Sequence, residues 1–337
     1  MTRRRHGLGL GVLLAAFMFA LALRYLVGSS GFGEPSVAIA RYRLDAGLAA
    51  TSVGVALAIA GLFLQVLLRN PLASPFVLGL SSGSSFGYML ALYLGWRFGL
   101  HAQGMYGITG PGLFAVVGGL VTLGLVWRLG SRRGGVDPLG LVLAGVIVGS
   151  MAAAGTTALQ AIVPNGLRGD FVGWMMGQIP EAPAQGPLLL VSALAASATG
   201  LGILLGPALD AACLSDDEAR SVGVPLGAIR WTLFLVAGLL AAGTVALAGP
   251  IAFVGLVAPH AARLLVGPRH ANLALGSALA GAALLLLADA ARQAIDVGGG
   301  RLPVGVLTAL LGGPIFLLPL RRSPMVQRQG ADGGGAA

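Results

Sequence analysis

Residues Gly79 to Gly83 match the G-x-S-x-G pattern around the nucleophile of many serine hydrolases, with Ser81 in the nucleophile's place. That pattern works only when a strand precedes it, a helix follows it, and a histidine and an acid lie nearby. Here Pro71 and Pro75 precede it, and an apolar stretch rich in glycine follows it. A hydrolase that uses Ser81 and His260 is therefore a weak alternative, and small packing residues with a helix cap explain the serines better.

Other residue types that carry chemistry are scarce in this sequence. There is one cysteine, Cys213, so no intrachain disulfide or cysteine-based metal cluster can form. The four histidines are scattered without an i, i+4 pair, which argues against a zinc site. All 21 basic residues are arginines, so the lysine of a G-x-x-x-x-G-K-S/T nucleotide loop is missing. We expect no metal or other cofactor on this chain, and if ATP powers it, another chain binds the ATP.

The composition is that of a membrane protein. Of 337 residues, 56% are hydrophobic and only 10% are charged, whereas a soluble domain carries about 25% charge. This excludes a water-soluble enzyme, and the high hydrophobicity excludes a disordered chain. The formal net charge of +9 comes from arginines that lie between apolar runs, which is where residues that determine membrane topology are found. We therefore expect the chain to lie in a lipid bilayer and to have no nucleic acid partner.

Apolar runs long enough to cross a bilayer predict an all-α polytopic membrane protein with about ten helices. We predict one transmembrane domain over residues 1–322 and a disordered tail over 323–337, where nothing can pack. The predicted spans lie near residues 7–28, 44–68, 76–95, 109–129, 139–163, 187–209, 230–247, 249–266, 272–295 and 303–320. If the N-terminus is cytoplasmic, fourteen arginines fall on that side and seven on the other, which predicts two cytoplasmic termini.

Few ionisable residues lie within the predicted spans. Asp289 and Arg292 are three residues apart and can pair on one helix face, and Arg24 can reach water from the end of the first span. A proton-coupled carrier usually needs carboxylates in the middle of the membrane, and the sequence has none at a clear midplane position. An ion- or proton-coupled carrier, or a channel, that works without an ATPase is therefore the second alternative.

The longest hydrophilic segment away from the termini lies between the sixth and seventh predicted spans and runs from Asp210 to Pro225, with short helices predicted over 213–224. Ser215 followed by Glu218 is a capping-box pattern, and Gly223 and Pro225 would end the helix after about two turns. The arginine asymmetry makes this segment cytoplasmic. Such a helix is either a docking element or a solvated connecting turn.

Three segments combine polar, charged and proline residues in patterns that an ordinary membrane span lacks. They are Gln65–Gly83, Gly249–Arg263 and Ala288–Phe316. Their characteristic residues include Gln65, Arg69, Asn70, Pro71, Pro259, His260 and Arg263. From about Arg43 to Phe316, the chain resembles the FecCD family, the permeases of type II ABC importers for iron-siderophore complexes, haem and cobalamin.

The resemblance implies a type II ABC importer permease with ten helices per subunit in the inner (cytoplasmic) membrane. Its implied partners are a second permease subunit (an identical chain in preference to a paralogue), two cytoplasmic ATPase subunits that hold ATP and Mg, and a periplasmic substrate-binding protein. The chain itself is then no enzyme and moves its cargo by alternating access. Ferric siderophores are the first expectation for that cargo, with haem and cobalamin next.

The resemblance also assigns roles to residues at the two faces of the membrane. The residues implied to couple to the ATPase are Ser215, Asp216, Asp217, Glu218, Ala219, Arg220, Ser221 and Gly223. The arginines implied to dock the binding protein are Arg43 and Arg292, with Arg41 and Arg301 near them. The sequence departs from the family there, because Asp45 and Ala46 follow Arg43-Leu44 in place of Pro-Arg, and Arg301 stands where a glutamate is usual. Arg41 has a second interpretation as the partner of Asp45 on one helix face.

By the same resemblance, the fifth and tenth spans line the transport pathway. The residues implied to lie along the pathway or at its inner gate are Gly135, Gly140, Ser150, Thr156, Thr157, Gln160 and Thr308. A weakly polar pathway offers a large chelate few strong binding sites, which favours conduction. His260 could ligate iron or haem, although a hydrogen bond at a helix end is the better interpretation.

Overall fold

The computed structural model describes residues 2–28, 31–99, 110–132, 135–295 and 301–321. Within these ranges the protein is helical apart from two short β-hairpins, which confirms the predicted all-α class. The helices are α1 Thr2–Leu26, α2 Val37–Leu67, α3 Leu80–Arg97, α4 Pro111–Gly130, α5 Pro138–Ile162, α6 Asn165–Met175, α7 Gln185–Leu204, α8 Gly206–Ala212, α9 Asp216–Ser221, α10 Leu226–Ala248, α11 Val254–Val266, α12 His270–Ala294 and α13 Val304–Arg321. The hairpins pair β1 Val27–Gly28 with β2 Gly31–Phe32, and β3 Ser131–Arg132 with β4 Gly135–Val136.

Among the described residues, seven helices are long and apolar enough to cross a membrane: α1, α2, α4, α5, α7, α10 and α12. The remaining predicted spans, 76–95, 249–266 and 303–320, coincide with α3, α11 and α13. The prediction for 249–266 began too early, because residues 249–253 are not helical and α11 has only 13 residues. The predicted tail, 323–337, lies outside the described residues.

The long helix α2 forms the centre of the bundle. It has 31 residues, most of them buried, and it packs against α7, α10, α11 and α12. Gly61 permits one of these contacts, because a Cβ at this position would overlap the backbone carbonyl of Gly255 in α11. A second group, α3, α4 and α5, packs together, and α1 lies along α12. Helices with satisfied backbone groups are what a chain this apolar must form in lipid.

Two features of the connections were not predicted. The span predicted at 187–209 is broken after Leu205, so that α8 is a separate helix with Pro207 in its first turn. The connection from α5 to α7 contains an additional helix, α6. Its Trp174 stacks on Tyr88 of α3 with ring centroids 4.1 Å apart, and its Phe171 is buried. These aromatic contacts anchor α6 to the bundle.

Candidate functional site

The hydrophilic segment after α7 folds into the short helices α8 and α9, and α9 has the predicted cap. The Ser215 hydroxyl accepts a hydrogen bond from the Glu218 backbone N–H at 3.3 Å, and the Glu218 carboxylate accepts one from the Ser215 N–H at 3.0 Å. The Ser215 hydroxyl also donates to the Glu218 carboxylate at 2.7 Å. This bond, with the smaller contribution of the one from the Ser215 N–H, lowers the pKa of Glu218. Gly223 then takes a left-handed φ of 80° just after the helix, which supports the predicted stop.

The two faces of α9 have different surroundings. Ala219 is fully buried against the bundle. The side chains that face solvent are Ser215, Asp217, Glu218, Arg220 and Ser221. The helix therefore has one face packed on the rest of the chain and one polar face available to another molecule.

Asp216 joins α9 to two long helices. Its carboxylate lies 2.7 Å from Nη2 of Arg69, just beyond the end of α2, and 2.7 Å from Nη2 of Arg230 in α10. A second bond from Arg230, Nη1 to Oδ2 at 3.1 Å, makes that pair bidentate. The hydrogen bonds from Arg230 are the main cause that holds the pKa of Asp216 below its usual value, and those from Arg69 add to it. We call Asp216, Arg69 and Arg230 the inner triad, after the cytoplasmic side on which the predicted topology puts them.

Arg69 also fixes the preceding helix, α8. Its Nε donates to the carbonyl of Ala212, the last residue of α8, at 3.0 Å. The backbone of Arg69 has a φ of 46°, in the left-handed region that a residue with a side chain rarely adopts. The structure thus holds Arg69 in an unfavourable conformation that aims its guanidinium at both α8 and α9.

A cavity of about 420 Å³ opens beside the inner triad. Its lining includes Gln65, Arg69, Asn70, Pro71, Cys213 and Arg263, which are residues from two predicted motifs and the segment after α8. Burial raises the pKa of the Cys213 thiol, and the charge of Asp210 raises it further. Asp210 itself lies 2.6 Å from Nδ1 of His270 at the start of α12. Of the other two motif residues, Pro259 is buried inside α11 and His260 is half-buried.

A second cavity, of about 400 Å³, lies where the first two motif segments meet. Its lining includes Leu72, Phe76, Val77, Ser81, Pro250 and Phe253. The backbone of Val77 contacts Gly145 of α5, and Phe253 contacts Gly312 of α13, so this apolar cavity lies beside both helices expected to line the pathway. The sequence motifs alone did not predict that these segments share a cavity.

The predicted pathway residues have different environments. Ser150 and Thr157 lie on the exposed face of α5, and Gln160 is half-buried. Thr156 and Thr308 are buried, and their hydroxyls donate to carbonyls of their own helices. Of the two predicted gate glycines, Gly135 lies in β4 and Gly140 in the first turn of α5.

Two of the arginines implied to dock a binding protein are buried. Nη1 of Arg43 donates to the carbonyls of Tyr25 and Leu26 at the end of α1, at 2.7 and 3.0 Å, and to that of Gly33 at 3.1 Å. Arg292 is also buried, and its Nη2 donates to the carbonyl of Ile179 at 3.3 Å. Both guanidinium groups are therefore occupied within the chain.

The expected pair of Asp289 and Arg292 is confirmed, with Nε 2.9 Å from Oδ1. The expectation that Arg24 reaches water is wrong, because Arg24 is buried and donates through Nε to the other oxygen of Asp289. Burial without a partner would be costly for Arg24, and Asp289 supplies the opposite charge. We call Asp289, Arg24 and Arg292 the outer triad, after the side opposite the cytoplasm on which the predicted topology puts them.

The other two arginines of this group are accessible. Arg41 is exposed, and no ion pair joins it to Asp45 in the described part of the chain. Arg301 is partly exposed, and its Nη1 lies 2.7 Å from Oε1 of Glu181. The same oxygen of Glu181 accepts from Nε2 of Gln293 at 3.0 Å. That bond is the main cause of a lowered pKa for Glu181, and the charges of Arg301 and Arg292 contribute.

The structure gives no support to a serine hydrolase. A 3-10 turn, Pro75–Leu78, precedes Ser81, where the hydrolase motif requires a strand. The described residues contain no group of three or more His, Cys, Asp or Glu that could hold a metal ion.

Sequence reasoning missed Arg230 and Glu181 as members of these clusters. Arg230 is 14 residues from Asp216, and Glu181 is 120 residues from Arg301. No local pattern connects residues at such separations. For Arg230 the sequence offered one signal, an arginine at the start of a predicted span, which counts toward the predicted topology.

A bundle of apolar helices with a capped, charged short helix, α9, suits a membrane permease, and comparison with known proteins shows the family. The chain belongs to the FecCD transport family, which it matches over residues 8–322. It is 33% identical to the hemin transport system permease protein HmuU of Yersinia pestis over 321 residues, which cover 90% of this chain and 94% of that one. It is 36% identical to the ferric enterobactin transport system permease protein FepG of Escherichia coli (strain K12) over 292 residues, 85% of this chain and 82% of that one.

A solved structure, described as an inward-facing conformation of an ABC transporter of the metal-chelate type, matches with a TM-score of 0.80. The match has 28% sequence identity and covers 94% of this chain and 100% of the other. The resemblance found in the sequence motifs is thereby confirmed for both family and fold.

Proposed function

We propose that this protein is the membrane permease subunit of an ABC importer that carries a metal chelate into the cell. The family match and the relatives named for hemin and ferric enterobactin support the importer class. The sequence has no lysine and so no Walker loop, which supports ATP and Mg on separate ATPase subunits. The chain performs no chemistry on its cargo.

The observation that carries this proposal is the attachment of α9 to the bundle. Asp216 binds Arg69, which lies just after the end of α2, and Arg230, which lies in the second turn of α10. The opposite face of α9 stays exposed. A connecting turn would need no such attachment. A helix that receives force from another protein needs it, because the force must reach the membrane helices.

In this proposal the exposed face of α9 contacts an ATPase subunit. Asp217, Glu218 and Arg220 supply charges at that surface, and the capping box keeps the helix formed when no partner is bound. The cavity beside the inner triad adds a concave surface next to α9. The proposal requires α9 and both chain termini to lie in the cytoplasm, as the arginine asymmetry predicts.

On the outer face, we assign contact with the binding protein to Arg41 and Arg301, which are accessible. Arg43 and Arg292 instead bind backbone carbonyls of neighbouring segments, namely the end of α1 and the segment between α6 and α7. Ferric siderophores remain the first expectation for the cargo, with haem and cobalamin next.

The second permease subunit is an identical chain in this proposal. α5 exposes a row of large apolar side chains with helical spacing: Leu139, Leu143, Val146, Ile147 and Met151. Together with the exposed Leu310 and Leu311 of α13, this row would face the pathway and the second copy. Alternating access then follows from relative movement of the two subunits.

The test is reconstitution of this chain in proteoliposomes with its ATPase and binding protein, with hemin and a ferric siderophore as probes. We expect uptake only when all components and ATP are present. Uptake by the chain alone would favour a secondary carrier and contradict the proposal.

A surface variant tests the assignment of α9 in the same assay. Asp217→Ala combined with Arg220→Ala should weaken ATPase binding while leaving the inner triad intact. Arg269→Ala, which changes an exposed arginine next to α12, is the matched control. Equal ATPase affinity in both variants would remove the exposed face of α9 from the contact.

A further inference from the structure

The inner triad touches a third element besides α2 and α10. Nη1 of Arg230 lies 3.4 Å from the carbonyl oxygen of Val136 in β4, in addition to its bonds with Asp216. The hairpin of β3 and β4 connects α4 to α5. One guanidinium group therefore contacts both the short helix α9 and the hairpin that leads into a pathway helix.

The position of Arg230 would make α9 and the β3–β4 hairpin move together. It lies in the second turn of α10 and only 9% of it is exposed, so its side chain has little freedom to follow one partner without the other. The guanidinium plane presents several donors in a fixed geometry, which lets it hold both carboxylate oxygens and a carbonyl together. A lysine, with a single ammonium group, could not reproduce that arrangement.

The hairpin continues directly into α5. Asp137 follows Val136 and caps α5, because its side chain accepts from the Leu139 backbone N–H at 3.1 Å. A displacement of Val136 would therefore reach the first turn of α5, which contains Gly140. The exposed face of the same helix carries Ser150 and Thr157.

We propose that Arg230 is a positioning residue that transmits movement of α9 to the β3–β4 hairpin and so to the inner end of α5. The inference rests on the proposed function, since it needs an ATPase that moves α9. In this account α9 pulls on Asp216, Asp216 moves the Arg230 guanidinium, and the guanidinium shifts Val136. Arg69 holds the same carboxylate from α2, so both long helices respond together.

The experiment uses the assembled transporter and a thiol reporter on the hairpin. Cys213 is the only cysteine, so Val136→Cys in a Cys213→Ser background carries a single reactive thiol. The backbone carbonyl that contacts Arg230 is retained in this variant. The rate of maleimide labelling is measured with and without ATP plus orthovanadate, and ATP hydrolysis is measured in parallel.

We expect the labelling rate to change with ATP and orthovanadate in the parent, and to stop changing in Arg230→Gln while ATP hydrolysis continues. Arg128→Gln is the matched control, because Arg128 is an exposed arginine of α4 without an ion pair among the described residues. Arg230→Lys should give a partial response, since it keeps the positive charge but not the several donors of the guanidinium plane. If Arg230→Gln fails to insert, Arg230→Lys carries the test.

Three results would overturn the inference. These are a parent hairpin whose labelling does not respond to ATP, an Arg230→Gln variant that responds as Arg128→Gln does, or an Arg230→Lys variant with a full response. Failure of the proposed function is distinct: the parent chain would then not assemble with an ATPase that hydrolyses ATP.

Discussion

Two aspartates in this protein each bind two arginines, and they differ in burial. Asp289 is fully buried with Arg24 and Arg292, whose side chains are 3% and 8% exposed. The Asp216 side chain is 37% exposed, between Arg69 and Arg230. Ion pairs in water contribute little to stability, whereas removing one partner from a buried pair is costly. The outer triad is therefore suited to holding helices together, and the inner triad to rearranging.

The largest effect should follow from breaking the outer triad. Asp289→Asn leaves two buried arginines without a countercharge, so we expect a loss of about 3–5 kcal/mol of stability or failure to insert. Asp170→Asn changes an exposed aspartate of α6 and is the control. Thermal unfolding in detergent measures both. A destabilisation below about 1 kcal/mol would mean that the outer triad is not structural.

The corresponding change in the inner triad should separate stability from transport. Asp216→Asn removes the charge that attaches α9. Because the Asp216 side chain itself is part-exposed, we expect a smaller loss of stability than in Asp289→Asn. Uptake per ATP hydrolysed should nevertheless fall sharply. If uptake per ATP stays at the parental value, α9 is not attached to the bundle through Asp216.

The arginines expected on the outer face also differ in burial, so exposed and buried ones should respond differently to charge reversal. Arg41→Glu should weaken binding-protein affinity about tenfold at low salt, with a smaller effect at high salt, because it reverses an exposed charge. Arg292→Glu should instead unfold the outer face, because it places a second acid beside Asp289. Binding measured across a salt series tests this, with Arg97→Glu as an exposed control. A salt-independent loss in Arg41→Glu would contradict docking by charge.

The smallest effect should appear in the pH dependence of the inner triad. The lowered pKa of Asp216 means that its contribution is complete above the usual aspartate pKa and is lost as the pH falls through the lowered value. Uptake per ATP should therefore show no titration of Asp216 between about pH 5 and about pH 8. A transition in that range that disappears in Asp216→Asn would contradict the assigned ion pairs.

The helical class, the position of most helices and the capped helix α9 could be predicted because their signals are local. Runs of apolar residues identify spans, and Ser215 with Glu218 identifies a cap within four residues. The break at Leu205 and the late start of α11 were missed because apolar runs continue through both. Each place has a local signal, however, since Gly206-Pro207 and Gly249-Pro250 are pairs that interrupt helices.

The charge clusters could not be predicted because their members are distant in sequence. Arg24 and Asp289 are 265 residues apart, so the sequence showed only an arginine near the end of a span. Arg43 and Arg292 were assigned to docking by resemblance, whereas burial commits them to backbone carbonyls. Sequence indicates which residues are charged, but burial decides which of those charges another protein can reach.

The most direct test of the whole account is the side of the membrane on which Cys213 lies. Cys213 is the only cysteine of the chain, and it is exposed beside α9. Because partial burial raises the pKa of its thiol, labelling should be done at mildly alkaline pH. A membrane-impermeant maleimide should label it in inside-out vesicles and not in right-side-out vesicles, and bound ATPase should slow that reaction. Labelling from the outer side would put α9 beyond the reach of any cytoplasmic ATPase and contradict the account.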